Sequence, residues 1–194
     1  MNIFCHIPRE NWIVDRMGSE YKKYSRHNVS TEEINSETNC IWLLAGWCWN
    51  HIPQNVLKNF YVVCTIHHIV SSKFKKEKFE SFKARDPFVD HYLTYTEKTK
   101  NFISQYTSKP ITVLNHWVND KIWNLYDKNI IKDELNLPKD RLIISSFQRD
   151  TEGKDLKSPK LIKGPDRLLE IFEHYNKTKN ELLIVLSGKR RQYI

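Results

Sequence analysis

Two uninterrupted apolar runs, CIWLLA at residues 40–45 and YVVCTI at residues 61–66, constrain the fold more than any other feature of the chain. A strand with one wet face alternates apolar and polar residues, whereas an unbroken run bounded by loop residues is expected of a strand covered on both faces in a parallel sheet. Residues 1–7, MNIFCHI, read as a first strand. Behind it comes Asn11, a helix-capping residue type, and then Ile13, Met17, Tyr21 and Tyr24 at helical spacing. Residues 91–95 form a fourth strand candidate leading into Thr94-x-x-Glu97, a capping-box pattern, and a helix that turns Phe102, Ile103 and Tyr106 inward. A further strand is expected at residues 111–114. Repeated strand and helix units of this kind predict a Rossmann-like, doubly wound parallel α/β domain over residues 1–120.

The texture then turns polar. Residues 121–140 read as a linker containing a short helical piece and Leu137-Pro138. A second α/β start follows over residues 141–194: a strand at 142–147, a polar loop at 148–163, a helix and a strand at 182–186. The helix opens at Gly164-Pro165, a good start signature, and is expected to turn Leu168, Leu169, Phe172 and Tyr175 inward. A lone unit of this size, about 55 residues, buries too little apolar surface to be comfortable by itself. This second Rossmann-like unit is therefore expected to be incomplete.

With 40% apolar and 12% aromatic residues the chain has material for a core, which excludes disordered and low-complexity classes. The longest apolar run, residues 40–49, is ten residues, against about 20 for a membrane-spanning helix. Residues 1–8 meet Arg9 and Glu10 at once, which does not suit a secretory signal. The expected location is cytoplasmic, so the sequons at 28–30 and 176–178 carry little weight. Cys5, Cys40, Cys48 and Cys64 sit in apolar surroundings and read as reduced, buried thiols. Cys48-x-x-His51 and Cys64-x-x-His67 superficially resemble zinc-finger spacing. Because residues 61–66 read as a strand, Cys64 and His67 would point to opposite faces, and no metal is expected.

The net charge of +8 is partly concentrated in residues 71–83, where Lys73, Lys75, Lys76, Lys78 and Lys83 interleave with Phe74, Phe79 and Phe82. Two readings stay open: a peripheral contact with anionic lipid, and a solvated helix whose phenylalanines pack inward. No zinc finger or RNP motif supports nucleic-acid binding.

The chemistry concentrates around the second helix start. Arg149 lies just past a strand end, Lys163 stands beside Gly164, and the following helix offers free backbone N–H groups. Helix N-termini and strand carboxyl ends favour phosphate. Two fixed cations there suit a departing diphosphate without magnesium; the alternative is a pair of solvated loop charges.

At these residues the sequence resembles the GT-B retaining glycosyltransferases, the large class that uses nucleotide-sugar donors. The matching segments run in family order: YLTYTEKTKNFI at 92–103, ITVLNHWVND at 111–120, KDELNLPKDRLIISSFQRD at 132–150, KGPDRLLEIF at 163–172 and LLIVLSGKRRQYI at 182–194. The resemblance implies an N-terminal domain on the acceptor side and a partial donor-side domain. It implies transfer of a sugar from a nucleoside diphosphate sugar to an acceptor hydroxyl with retention, no metal cofactor, and a glycan or lipid-linked acceptor, in line with a membrane contact. Arg149 and Lys163, with Gly164, match the residues that hold the donor diphosphate, and His67 matches the histidine facing the donor sugar, with His68 the less favoured neighbour. Asn11 is a candidate on the acceptor and phosphate side. Three departures stand out. Asn115-His116-Trp117 replaces the usual Asn-Gly, the loop at 151–161 is longer than in the family, and the glycine-rich loop after strand one is missing. The family's Glu-x7-Glu segment would fall beyond Ile194, so the chain is expected to be weakly active or inactive alone. The alternatives are a noncatalytic acceptor-binding half with a complementary donor-binding subunit, and an unrelated nucleotide-binding α/β protein.

Overall fold

The computed structural model describes residues 1–152, 156–179, 181–188 and 192–193. The chain divides into two compact units, Met1–Trp123 and Asn124–Ile194. The first carries strands β1 (Asn2–His6), β2 (Asn28–Ser30), β3 (Cys40–Leu43), β4 (Tyr61–Ile66), β5 (His91–Thr94) and β6 (Ile111–Val113). Its helices are α1 (Ile13–Tyr24), α2 (Gln54–Leu57), α3 (Lys76–Arg85) and α4 (Glu97–Ile103), joined by 3₁₀ turns at Gly46–His51, Ser71–Lys73 and Asp86–Phe88. The strands form one parallel sheet in the order β2-β1-β3-β4-β5-β6. The architecture is the Rossmann-like α/β fold that the apolar runs predict.

Alternation along the strands builds two cores. Phe4, Ile41, Leu43, Val62 and Cys64 point to one face, where Leu57, Phe82, Tyr92 and Ile103 meet them. Ile3, Cys5, Cys40 and Trp42 point to the other, against Val14 of α1. All four residues of β3 are buried, as its unbroken apolar run requires. Tyr21 packs edge-on to Trp42 with centroids 4.7 Å apart. Gly18 is needed in α1 because a Cβ there would stand 3.0 Å from Leu44 Cδ1 and closer still to Ile7.

Local signals differ from the sequence reading in three places. Helix α1 starts one residue later than an Asn11 cap would place it. Trp12 is the N-cap, and the Asp15 carboxylate accepts from Arg9 N–H at 2.8 Å and Trp12 N–H at 3.3 Å. Asn11 instead lies in the left-handed region, φ 57°, which asparagine tolerates better than most residues. The cap of α4 is Thr96, whose hydroxyl accepts from Thr99 N–H at 3.1 Å, while Thr94 is the buried last residue of β5. The edge strand β2 escaped notice because Val29 is its only apolar residue.

The second unit holds α5 (Lys128–Glu134), β7 (Leu142–Ser146), a 3₁₀ turn at Leu161–Lys163, α6 (Pro165–Lys179) and β8 (Leu182–Leu186). Strands β7 and β8 pair in parallel. The loop between β7 and α6 is folded rather than slack. Thr151 bridges Pro159, Glu152 N–H donates to Ser158 O at 2.7 Å, and Lys160 N–H donates to Asp150 O at 2.7 Å. Leu168, Leu169 and Phe172 are half-buried, but Tyr175, expected inward, is 38% exposed. Residues 153–155 of the long loop and residues 189–191 after the last strand lie outside the described residues. No helix among the described residues is long and apolar enough to cross a membrane.

Candidate functional site

Because every strand of the first unit is parallel, all their carboxyl ends share one rim. The chain leaves β1 for β2 on one side and returns to β3 on the other, which makes the rim beside β1 and β3 the expected ligand position in such a sheet. An aromatic row follows this rim. Trp12 lies 6.4 Å from Trp47 between ring centroids, Trp47 5.7 Å from His67, His67 5.3 Å from Tyr95, and Tyr95 stacks on His116 at 3.8 Å with 11° between planes. The five rings come from the loops that follow β1, β3, β4, β5 and β6.

His67 sits directly past β4 with its Nε2 2.8 Å from Leu44 O. A carbonyl only accepts, so Nε2 carries the hydrogen and Nδ1 of the neutral ring is the acceptor left for a ligand. Burial lowers the His67 pKa, and the nearby charges of His116 and His68 add to that; the Leu44 bond opposes it. A neutral ring with a free Nδ1 can accept a proton or a hydroxyl hydrogen. The Tyr95 hydroxyl beside it is enclosed and has no hydrogen-bond partner among the described residues. Burial pushes its pKa up to about 12, so it remains a phenol and a donor. An enclosed polar atom of this kind is rare enough to ask for a reason, and a ligand's oxygen would supply the missing partner.

Two contacts set the shape of the corner after β3. Trp47 Nε1–H donates to Glu10 Oε1 at 3.2 Å, holding an indole that is 46% exposed. From α3, the buried Arg85 donates from Nη1 to Gly46 O at 2.6 Å and lies over the rings of Phe82 and Tyr92. A side chain at residue 46 would meet Ile66 Cδ1 at 2.8 Å and Arg85 Nη1 at 3.0 Å, so the corner needs its glycine.

Of the residues singled out from the sequence, Asn11 lies in the exposed loop after β1 and is not a helix cap, and His68 is exposed beside His67. Arg149, Lys163 and Gly164 belong to the second unit. Arg149 is exposed past the end of β7, and Lys163 is exposed in the 3₁₀ turn before α6. The Gln148 side-chain amide donates to Lys163 O, which ties the β7 end to the α6 start. Gly164 takes the left-handed conformation, φ 65°, and its N–H donates to Leu161 O at 2.9 Å. Anion-binding N–H groups at this helix must therefore come from later residues. Among the described residues no three His, Cys, Asp or Glu side chains gather as a metal site. Trp47, Tyr95 and Arg85 have no part in the sequence reading of the site, and His116 enters it only within the Asn115-His116-Trp117 departure. The one signal for Trp47, Tyr95 and His116 is their position within four residues of a strand end.

The thiols and the lysine-rich segment take simple roles. All four cysteines are buried and free, and burial is the main reason that their pKa values rise, to about 12 for Cys5 and about 11 for the others. Phe74 and Phe79 pack with Phe82, Phe102 and Tyr106. The phenylalanines of residues 71–83 thus face the protein, and the lysines form the outer surface.

No family model matches the chain, and no curated protein matches it. Solved structures do. HepE (Alr3699) of Anabaena in complex with UDP and glucose aligns over 99% of this chain and 71% of its own, with a TM-score of 0.60 and 10% identity. The same protein in complex with UDP aligns over 98% and 70%, with a TM-score of 0.56 and 10% identity. At this identity the likeness establishes the fold.

Proposed function

We propose that the chain is a glycosyltransferase that moves a sugar from a nucleoside diphosphate sugar to an acceptor hydroxyl with retention. The observation that carries this reading is the rim of the first unit. His67 offers Nδ1 and Tyr95 offers an unpartnered phenol where this fold takes its ligands, in a chain whose fold resembles a protein solved with UDP and glucose. In this reading His67 faces the donor sugar, and Asn11 and His68 stand on the acceptor side. Arg149 and Lys163 neutralise the diphosphate that leaves with the electron pair of the broken anomeric C–O bond, while the acceptor oxygen forms the new bond and its proton passes to the departing diphosphate oxygen. Stabilising the leaving group electrostatically asks for no nucleophilic carboxylate and no metal. The acceptor is a glycan or a lipid-linked sugar; any membrane contact runs through the exposed lysines of α3 and is electrostatic, since its phenylalanines face inward.

A second reading, the acceptor-binding half of a split glycosyltransferase with a donor-binding partner, draws on the thin second unit, in which Leu182 and Pro165 are the buried apolar side chains among the described residues. Titration with UDP and other nucleoside diphosphates separates the two. The first reading expects saturable binding that weakens at least about tenfold, roughly 1.4 kcal/mol, in Arg149→Ala and Lys163→Ala. In a transfer assay with nucleotide sugars, His67→Ala is expected to abolish product while leaving nucleotide affinity unchanged, and the anomeric configuration of the product reports retention. Absence of nucleotide binding eliminates the first reading and leaves the second.

A further inference from the structure

The segment Asn115-His116-Trp117, which stands in place of the Asn-Gly of the resembled family, sends its two rings to different places. His116 lies flat on Tyr95 at the rim, with 3.8 Å between centroids and 11° between planes. Trp117, one peptide bond further on, packs with the core that faces α1 and donates from Nε1 to Glu20 Oε2 at 3.1 Å. Leu114 N–H, bonded to Thr94 O at 2.7 Å, is the last rung that ties this stretch to β5. From Asn115 to Asn119 the chain lies in no helix or strand. Side chains therefore have to fix its course.

They converge on Glu20. This residue of α1 is only 9% exposed, and a carboxylate so enclosed is costly unless donors meet it. Besides the Trp117 bond, Oε1 accepts from Asn119 Nδ2 at 3.4 Å and pairs with Arg16 Nε at 3.5 Å. Two of the three donors thus come from a segment 97 and 99 residues away in sequence. Arg16 touches the same stretch again, its guanidinium lying over the Trp123 ring at 5.7 Å. The helix that supplies Glu20 is itself seated on the sheet through Val14 and through Tyr21, which stands edge-on to Trp42. Neither Glu20 nor Trp117 belongs to the row of five rings.

We infer that Glu20 is a positioning residue for the rim. By holding Trp117 and Asn119 it fixes the backbone on the far side of His116, lays that imidazole on Tyr95, and so restrains the phenol beside His67. His116 is exposed, and an exposed ring on an irregular segment gives up its stack readily unless the backbone is held, because ordering costs entropy at every residue. The consequence for catalysis rests on the proposed function. The placement of His116 does not, and is read separately.

Proton magnetic resonance on the full chain tests the placement. Lying over the Tyr95 face shifts the His116 imidazole C–H protons upfield, and Tyr95→Leu identifies that shift by removing it. Glu20→Ala deletes the acceptor, and Trp117→Phe deletes only the N–H; both are expected to lose the upfield shift. Glu20→Gln keeps an oxygen for Trp117 Nε1 and is expected to retain it. Trp117→Phe leaves Glu20 paired with Arg16, so it carries the test if Glu20→Ala does not fold. In the transfer assay Trp117→Phe is expected to lower kcat at least about tenfold, the scale that a small misplacement away from the chemistry can cost, with the nucleotide-sugar KM unchanged. Glu20→Gln is expected to stay near wild type. Survival of the His116 shift in Trp117→Phe overturns this role, as does its loss in Glu20→Gln, or an unchanged kcat in Trp117→Phe once the shift is gone. If the wild-type chain transfers sugar from no donor, the proposed function fails, and the shifts still decide whether Glu20 places His116.

Discussion

The two units use the same strand, helix, strand grammar with different results. In the first, a six-stranded sheet carries a hydrophobic core on each face, and β3 at its middle has no exposed residue. In the second, two strands pair around one helix, and large apolar side chains stay open to solvent: Phe147 at 76%, Ile162 at 67% and Ile171 at 57%. The difference shows that local propensity can specify strands and helices well before there is enough buried area to hold them. Stability then follows the number of covered faces rather than the quality of the individual elements.

Hydrogen exchange offers the sharpest way to break this comparison. Amides of β3 and β4 are expected to exchange at least about 100-fold more slowly than those of β7 and β8, because opening free energies track buried contacts; equal protection in both sheets would refute it. Thiol labelling gives an independent reading of the first unit alone, since all four cysteines are buried there. They are expected to stay unreactive under native conditions after the second unit has exchanged.

Truncation sharpens the same contrast. Leu43→Ala removes a fully buried side chain from the first core and is expected to cost about 3 kcal/mol in denaturant unfolding. Leu169→Ala, at a half-buried position on α6, is expected to cost roughly 1 kcal/mol, in line with less area removed from water. Similar losses at the two positions would mean that the second unit is better packed than its exposure implies.

Acid should act on the first unit. His6 falls from an ordinary 6.5 to about 4 in the folded chain, so between those values the unfolded state binds more protons and stability falls as pH drops. Its contribution is fully present above 6.5 and is lost toward 4. Allowing for the part exposure of the ring, the loss is about 1–2 kcal/mol, and His67 adds to it in the same direction. Unfolding curves at pH 7 and pH 4.5 check this, and His6→Asn should flatten the difference.

The smallest effects belong to helix caps. Thr96→Ala on α4 and Asp127→Ala on α5 each remove a side-chain acceptor of backbone N–H groups and are expected to cost about 1 kcal/mol. Global unfolding should register the first. The second should appear as local fraying of α5, detectable by exchange.

What the sequence disclosed follows the same division. Strands β3 and β4 were legible because burial on both faces leaves an unbroken apolar run. The three residues of β2 contain one apolar side chain, and pairing with β1 rather than composition makes them a strand. The caps at Asn11 and Thr94 were misplaced because residue type names a good cap without fixing where the backbone turns. His67 was found through a family resemblance, whereas its neighbours in the row were not. Trp47, Tyr95 and His116 are brought to His67 by the order of strands, a relation that no local window contains. Arg85 was harder still, since a basic residue at a helix end is ordinarily solvated.

That arginine has a wider consequence. The carbonyl it grips is 39 residues away in sequence, so the bend beneath the exposed indole is anchored from the last residue of α3. Substitutions around the far end of α3 can therefore retune the rim's outline while every group that would meet a ligand keeps its identity, which gives natural variation, or an engineer, a remote handle on selectivity.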